Sequence, residues 1–268
     1  YAPWLTSWIS EPDRGQSHAI NKGFAQATGD WLGWLNSDDA YGPSALRSLM
    51  ECAFQKNAAW VCGSSVRFTQ GIKHRPVHVQ PLPEAFEPST LRRIQAFDQP
   101  ACVWKRALFA QAGPLDETLS YTFDWVFFIR MADLTHAAAA PATIAYYRIH
   151  PSHKSSTGGQ RRRHELIQVY EEYLSGDDRT AFLRVRPWLS ILWRLKRLRY
   201  RYGRYGLYYV WHTLLSGLSR LIVDRDPPLH PQIQFMLELT NNTRLAPSII
   251  TQGAECDGLL GSVLGAWE

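Results

Sequence analysis

The sequence predicts an α/β protein, and three observations carry the prediction. Segments with apolar residues at helical spacing alternate with short strand-like apolar runs, the pattern of a sheet covered by helices. The run Trp31-Leu32-Gly33-Trp34-Leu35 leads into Asn36-Ser37-Asp38-Asp39 and is stopped by Tyr41-Gly42-Pro43. Two adjacent carboxylates are thereby expected at the carboxyl end of a buried strand, where open α/β sheets bind ligands. Finally, 268 residues with 45% hydrophobic content are enough for one good core and a smaller satellite.

Taken in order, Trp4 to Ser10 reads as a first strand. Gln16 to Ala27 places Ala19, Ile20, Gly23, Phe24 and Ala27 on one helical face, with Asn21 and Lys22 on or near the other. After the 31–35 strand, Pro43 to Gln55 repeats the helical signal through Leu46, Leu49, Met50 and Ala53, with Pro43 in the first turn. Trp60 to Thr69 and Ile72 to Val79, joined at Gln70-Gly71, predict a hairpin. A proline-rich link, Pro81 to Pro88, precedes a short segment ending at Phe97. Beyond it follow Asp98-Gln99-Pro100, Gly113 to Glu117 and Tyr121 to Trp125, with Trp125, Phe128, Ile129 and Ala132 as a candidate buried stripe. The run Tyr146-Tyr147-Arg148-Ile149-His150 closes this part.

The acidic pair admits two readings. Hard, anionic oxygen donors suit Mg²⁺ or Mn²⁺, and such an ion binds a diphosphate in turn; alternatively the Asp-rich turn caps the following helix. Asp124 likewise reads either as a functional carboxylate or as a helix N-cap. The four cysteines, Cys52, Cys62, Cys102 and Cys256, show no zinc-like spacing and read as reduced, buried thiols of a cytoplasmic protein.

The stretch Ser10-Glu11-Pro12-Asp13-Arg14-Gly15, through Ala19, Asn21 and Gly23, then Ala27-Thr28-Gly29-Asp30 and the strand ending in Asp38-Asp39, resembles the family 2 inverting glycosyltransferases of the GT-A fold. The later succession of Gln99-Pro100, Gly113-Pro114-Leu115-Asp116-Glu117 and Asp124 is similar to the same family, which implies a strand at Gln99-Pro100, a helix ending at Gly113, a helix opened by Asp124 and a closing strand at Tyr146 to His150. The resemblance implies a GT-A-like domain in which the opening strand-helix units, with much of the pocket for the nucleotide base, precede Tyr1. It implies a nucleotide-diphosphate sugar donor, a saccharide or lipid-linked acceptor, and Mn²⁺ or Mg²⁺. By residue, it implies Asp124 as general base, Asp38, Asp39 and His150 at the metal, and Asp13, Arg14, Asn21, Asp38, Gln99 and Arg148 near the nucleotide sugar. Two positions depart from the family: Asn36 stands where many members carry Asp, and so does His18. A non-catalytic, transferase-like scaffold at a membrane is the alternative.

After Gly158-Gly159 the composition changes. Arg161 to Arg204 holds twelve Arg or Lys against five Asp or Glu, a local charge of +7 within a chain of net +5. Trp188, Leu189, Ile191, Leu192, Leu195 and Leu198 alternate there with Arg194, Lys196, Arg197, Arg199 and Arg201 at helical spacing, and Tyr205 to Ser219 is apolar and aromatic. No apolar run reaches the roughly 20 residues that span a bilayer. Three readings stand for 184–220: a helical appendage with a solvated basic face, docking on an anionic membrane surface from the cytoplasmic side, or a nucleic-acid contact, although no nucleic-acid module accompanies it. The expected organisation is a GT-A-like domain over 1–155, a basic, aromatic-rich helical appendage over 156–223, and a weakly structured tail over 224–268.

Overall fold

Strand alternation decides the layers. In β3 (Trp60–Thr69) Trp60 and Cys62 join one buried cluster and Val61 another; β5 (Cys102–Lys105) repeats this with Cys102 and Trp104 against Val103, as the two-residue period of a strand requires. The structure, a computed structural model, describes residues 5–69, 76–80, 88–93, 95, 97–150, 154 and 158–188. Among these, six strands form one mixed sheet. Its order is β1 (Trp31–Leu32), β5, β3, β6 (Ala138–Ile149), β2 (Ala40–Tyr41), with β4 (Pro76–Gln80) paired to the far half of β3. β3 and β6 run parallel, from Val61 opposite Ala138 to Thr69 opposite Ile149, and the other pairs are antiparallel. The β3–β6 register slips between Cys62 and Ser65. Gly63 sits in that slip, where a Cβ would lie 1.9 Å from Ile144 Cγ1, so the close approach of the strands requires glycine.

Helix α2 (Ala45–Gln55) covers one face, burying Leu49, Cys52 and Ala53 with Val61, Val103 and Ile144. The other face meets α5 (Phe123–Ala132), α4 (Arg106–Ala112) and Phe24 of α1 (Gln16–Gln26). Phe128, fully buried, stacks on Trp60 at 5.9 Å and takes the edges of Phe97 at 4.8 Å and Trp104 at 6.1 Å. Outside α5 lie α6 (Gly159–Tyr173) and α7 (Gly176–Val185), whose Leu166, Val169, Tyr170 and Phe182 pack against Trp125, Val126 and Ile129. The short α3 (Pro88–Arg93) inserts Leu91 into the main core. No helix among the described residues is long and apolar enough to cross a membrane.

The α/β expectation holds, and so do the antiparallel pairing of β3 with β4, whose expected turn at Gln70-Gly71 lies outside the described residues, and the α5 stripe; the strand expected at Tyr146 to His150 is the end of β6, which stops at Ile149. Several details differ. Residues 5–10 form no strand, and Leu5, Trp8 and Ile9 are exposed. The expected 31–35 strand is two residues long, because Trp34 leaves the ladder to stack on Phe128 and gives its carbonyl to the Gln99 side chain. Helix α1 buries Ser17 and Phe24 and leaves Ala19 and Gly23 exposed; its polar inner residues hide that face from a hydrophobic pattern. Helix α2 begins at Ala45, after a left-handed Ser44 (φ 57°), and Leu46 faces solvent. Gln99-Pro100 lies in a 3₁₀ turn and the strand starts at Cys102. Cys52, Cys62 and Cys102 are buried free thiols, as expected, whereas Cys256, the tail and the basic segment beyond residue 188 lie outside the described residues.

Because Phe128 joins the sheet to α5 without exposure, Phe128→Ala is expected to destabilise the fold by about 3–5 kcal/mol. Urea unfolding measures it, and a loss under about 1 kcal/mol would contradict this central position.

Candidate functional site

Seven residues separate β1 from β2, and this link carries the acidic pair. The amide of Asp39 donates to Asn36 O at 3.1 Å, closing a turn that sends the two carboxylates apart. Asp38 Oδ2 lies 3.0 Å from His150 Nε2. Because β2 pairs Ala40 with Tyr146, Asp39 comes to rest beside β6, where its Oδ1 accepts the Arg148 amide at 3.1 Å and its Oδ2 accepts Asn36 Nδ2 at 3.2 Å. Burial pushes the Asp39 carboxyl up to about 6, against the Arg148 amide and with help from Asp38.

Around this pair runs a hydrogen-bonded chain. Asn36 also donates to Gln99 Oε1 at 3.3 Å and accepts from Gln16 Nε2 at 3.0 Å, and Lys154 Nζ donates to Gln16 Oε1 at 3.1 Å. Deeper in, Asp98 accepts from Arg67 and from the Ser65 hydroxyl. Burial opposes the Arg67 charge, but Asp98 more than offsets it and the guanidinium holds its proton more tightly. The Arg67 guanidinium lies 5.7 Å from the Tyr147 ring centre, and that of Arg148 lies 5.8 Å from the ring centre of Phe68.

Asp124 is the second residue of α5 and the cap position belongs to Thr122, so the N-cap reading fails. Its Oδ1 accepts the Trp125 amide at 2.8 Å and its Oδ2 accepts Gln95 Nε2 at 2.9 Å. Burial raises its proton affinity above the ordinary carboxylate value, against the Gln95 and Trp125 hydrogen bonds and the positive charge of Arg162. The Tyr147 phenol is likewise pushed up, by burial and by the charges of Asp98, Asp39 and Asp124. The charges of Asp39 and Asp124 thus both act on the Tyr147 phenol, and burial raises the proton affinity of each carboxyl, the direction that suits a base.

Other expected residues hold structural contacts. Asp13 Oδ1 accepts the Gly15 amide at 2.8 Å, and Arg14 pairs with Glu117 at 2.5 Å on the surface. Asn21, expected away from the buried side, exchanges hydrogen bonds with the backbone of Leu115 at 2.9 Å in both directions and reaches Glu117 at 3.2 Å; it staples the Gly113–Glu117 loop to α1. For the metal, the structure joins Asp38 to His150, yet among the described residues no group of three or more His, Cys, Asp or Glu is arranged as a metal cluster. The donor types present, carboxylate oxygen and imidazole nitrogen, fit a divalent cation whose remaining positions fall to phosphate and water.

Sequence reasoning missed Gln16, Gln95, Asp98 with Arg67, and Arg162. Gln95 lies in an aperiodic stretch and Arg162 in a run of basic residues that reads as solvated surface, so neither carried a local signal; the carboxyl side of the strand at 60–69 was the one place to seek a partner for Asp98.

The raised Asp39 sets a pH dependence. An unfolded chain releases this proton near pH 3.9, whereas the folded chain holds it up to about 6. Folding is therefore expected to lose stability as pH rises through that interval and to level off above it. Urea unfolding from pH 4 to 7 should show Asp39→Asn gaining stability relative to the parent across the same interval; a pH-independent offset would contradict the burial of this carboxyl.

Comparison with known proteins gives one family match, by the model described as Glycosyl transferase family 2, over residues 7–112. No curated protein matches the chain. Among solved structures, S. aureus TarS 1-349 in complex with UDP-GlcNAc aligns with a TM-score of 0.46 and 14% identity over 89% of this chain and 64% of that one. S. aureus TarS 1-349 aligns with a TM-score of 0.42 and 13% identity over 85% and 62%, and S. aureus TarS with a TM-score of 0.39 and 15% identity over 62% and 29%. The chain thus spans between 29% and 64% of the length of these structures. The segment 7–112 that matches the glycosyl transferase family 2 model contains both Asp38 and Asp39.

Proposed function

We propose that the chain transfers a sugar from a nucleotide-diphosphate donor to a hydroxyl of a saccharide or lipid-linked acceptor, with inversion at the anomeric carbon. The family 2 match over residues 7–112, which encloses the acidic link, carries this reading; the raised proton affinities of Asp39 and Asp124 support it. In the reaction the acceptor oxygen bonds to the anomeric carbon as the bond to the diphosphate oxygen breaks on the opposite face. Asp124 takes the acceptor proton, and its raised proton affinity suits that task, which typically contributes on the order of 10² to 10⁴ in rate. Arg148, whose own backbone amide donates to Asp39, pairs through its side chain with the diphosphate oxygens, and Gln99 holds the Asn36 link in place. Asp38, Asp39 and His150 would hold Mn²⁺ or Mg²⁺, which when bound supplies Lewis-acid stabilisation of the departing diphosphate. The reading places the enzyme at the cytoplasmic face of a membrane, with the basic 184–220 segment against anionic lipid.

The test is calorimetric titration of UDP, UDP-GlcNAc, GDP and dTDP, each with and without Mn²⁺, into the parent chain, Asp38→Asn and Asp39→Asn. Mn²⁺-dependent binding that both substitutions abolish is the expected result. Asp124→Asn should retain that binding while turnover falls at least about a hundredfold. No binding of any nucleotide by the chain would favour the non-catalytic scaffold, and full turnover by Asp124→Asn would remove its role as base.

A further inference from the structure

Asp124 owes its placement to groups outside its own helix. Its outer oxygen is met by Gln95 at 2.9 Å, so the geometry of the carboxylate depends on two chain segments staying in register: the turn that opens α5 and the stretch after α3. Helix α6 holds both. Glu165, a carboxylate only 4% exposed, accepts the Ser120 amide at 3.0 and 3.1 Å, the Tyr121 amide at 2.6 Å and the Thr122 hydroxyl at 3.4 Å. Those three residues lead directly into α5, whose cap residue Thr122 makes no capping hydrogen bond of its own. Five residues on, the Tyr170 hydroxyl donates to Arg93 O at 3.1 Å, two residues before Gln95. Between these two grips Leu166 and Val169 pack against Trp125, Val126 and Ile129. The seating is tight at the start as well: a Cβ on Gly158 would lie 2.6 Å from Arg162 Cβ and 2.7 Å from Tyr121 Cε1.

A buried carboxylate spent on backbone amides is a costly way to fasten a loop, since desolvating the charge is offset only by hydrogen bonds of good geometry. Here the hydrogen bonds are charge-assisted, which makes them stronger than neutral ones. Glu165 also stands among the charges that surround Asp124: Arg161 Nε lies 3.7 Å from its Oε1, and both Lys154 and Arg162 feel Asp124 and Glu165 together. We infer that Glu165 is a positioning residue for the general base: by clamping Ser120, Tyr121 and Thr122 it fixes the start of α5, and with Tyr170 it keeps the Asp124 carboxylate aligned with Gln95. The inference rests on the reading of Asp124 as base. It assigns a functional duty to α6, which lies outside the segment 7–112.

The test uses the full chain and two signals that need no substrate. In Glu165→Gln the Ser120 and Tyr121 amides should lose at least about tenfold in hydrogen-exchange protection, the loss expected when hydrogen bonds to a charged acceptor are weakened. In the same variant the Asp124 carboxyl, followed by ¹³C resonance and assigned through Asp124→Asn, should titrate at lower pH than in the parent. Two effects act in that direction, since a neighbouring negative charge is removed and the loosened turn admits water. A residue that merely supports the fold would lower the unfolding midpoint and leave that titration in place. If either signal is unchanged, the positioning role is overturned. Should Glu165→Gln fail to fold, Glu165→Asp, which keeps the charge but withdraws it from the two amides, takes its place: lost exchange protection with an altered Asp124 titration supports the role, and parent-like behaviour in either overturns it. Turnover of Asp124→Asn reports separately on the base reading, so an active Asp124→Asn overturns that reading whatever the state of the clamp.

Discussion

Helix α5 is buried on nearly every side, and the rest of the molecule is arranged around that constraint. Eight of its ten residues are buried, leaving Asp124 and Arg130 as the exceptions. Phe127 and Phe128 fill the face towards the sheet, while Trp125, Val126 and Ile129 fill the face towards α6. Successive residues on an α-helix are about 100° apart, so turning α5 by even one position would carry an aromatic ring out of a close-packed core. Hydrophobic packing, which is strong and not directional, thereby sets which way α5 faces, and the Gln95 hydrogen bond and the Glu165 clamp on the preceding turn then align the Asp124 carboxylate.

The candidate site residues include carboxylates kept in different environments. Asp98 is tied to Arg67 and Ser65 in a buried cluster. Such an ion pair is a weak source of stability, because desolvation offsets much of the attraction, but it holds β3 against the turn that delivers Gln99. Asp38 has an imidazole beside it. Asp39 accepts from the Arg148 amide and the Asn36 side chain, but burial and the nearby Asp38 charge outweigh these donors and its proton affinity rises. Asp124 is desolvated and held by an amide side chain. Burial, a neighbouring imidazole, amide donors and a guanidinium thus give these four acids four different settings.

Much of the fold was legible in the chain because its signals are local. The α5 stripe of Trp125, Phe128, Ile129 and Ala132 reads at helical spacing and all four are buried, and the alternation in the 60–69 strand names both faces of the sheet. Asp38 and Asp39 stood out by their place after an apolar strand-like run, and Asp124 by the resemblance of the succession around it. Less was visible where burial is polar or where an element ends for tertiary reasons. The inner face of α1 includes Ser17 and Asn21, which no hydrophobic periodicity reveals. The short length of β1 follows from Trp34 turning into the aromatic cluster, a choice made by rings that lie as far away as Trp104 and Phe128.

The sequence by itself determined the class of fold, the placement of an acidic turn after a strand and of an acid in the first turn of a buried helix, because period, turn chemistry and helix termini are properties of neighbouring residues. Only the tertiary structure decided which of these groups meet. His150 reaches Asp38 across 112 positions, Arg148 reaches Asp39 across 109, Gln95 reaches Asp124 across 29 and Glu165 reaches the turn before it across 43 to 45. Such pairs form when strand register and helix packing bring distant segments together, and the free energy for that comes from burying aromatic rings elsewhere in the core, so nothing in the residues adjacent to each partner announces it.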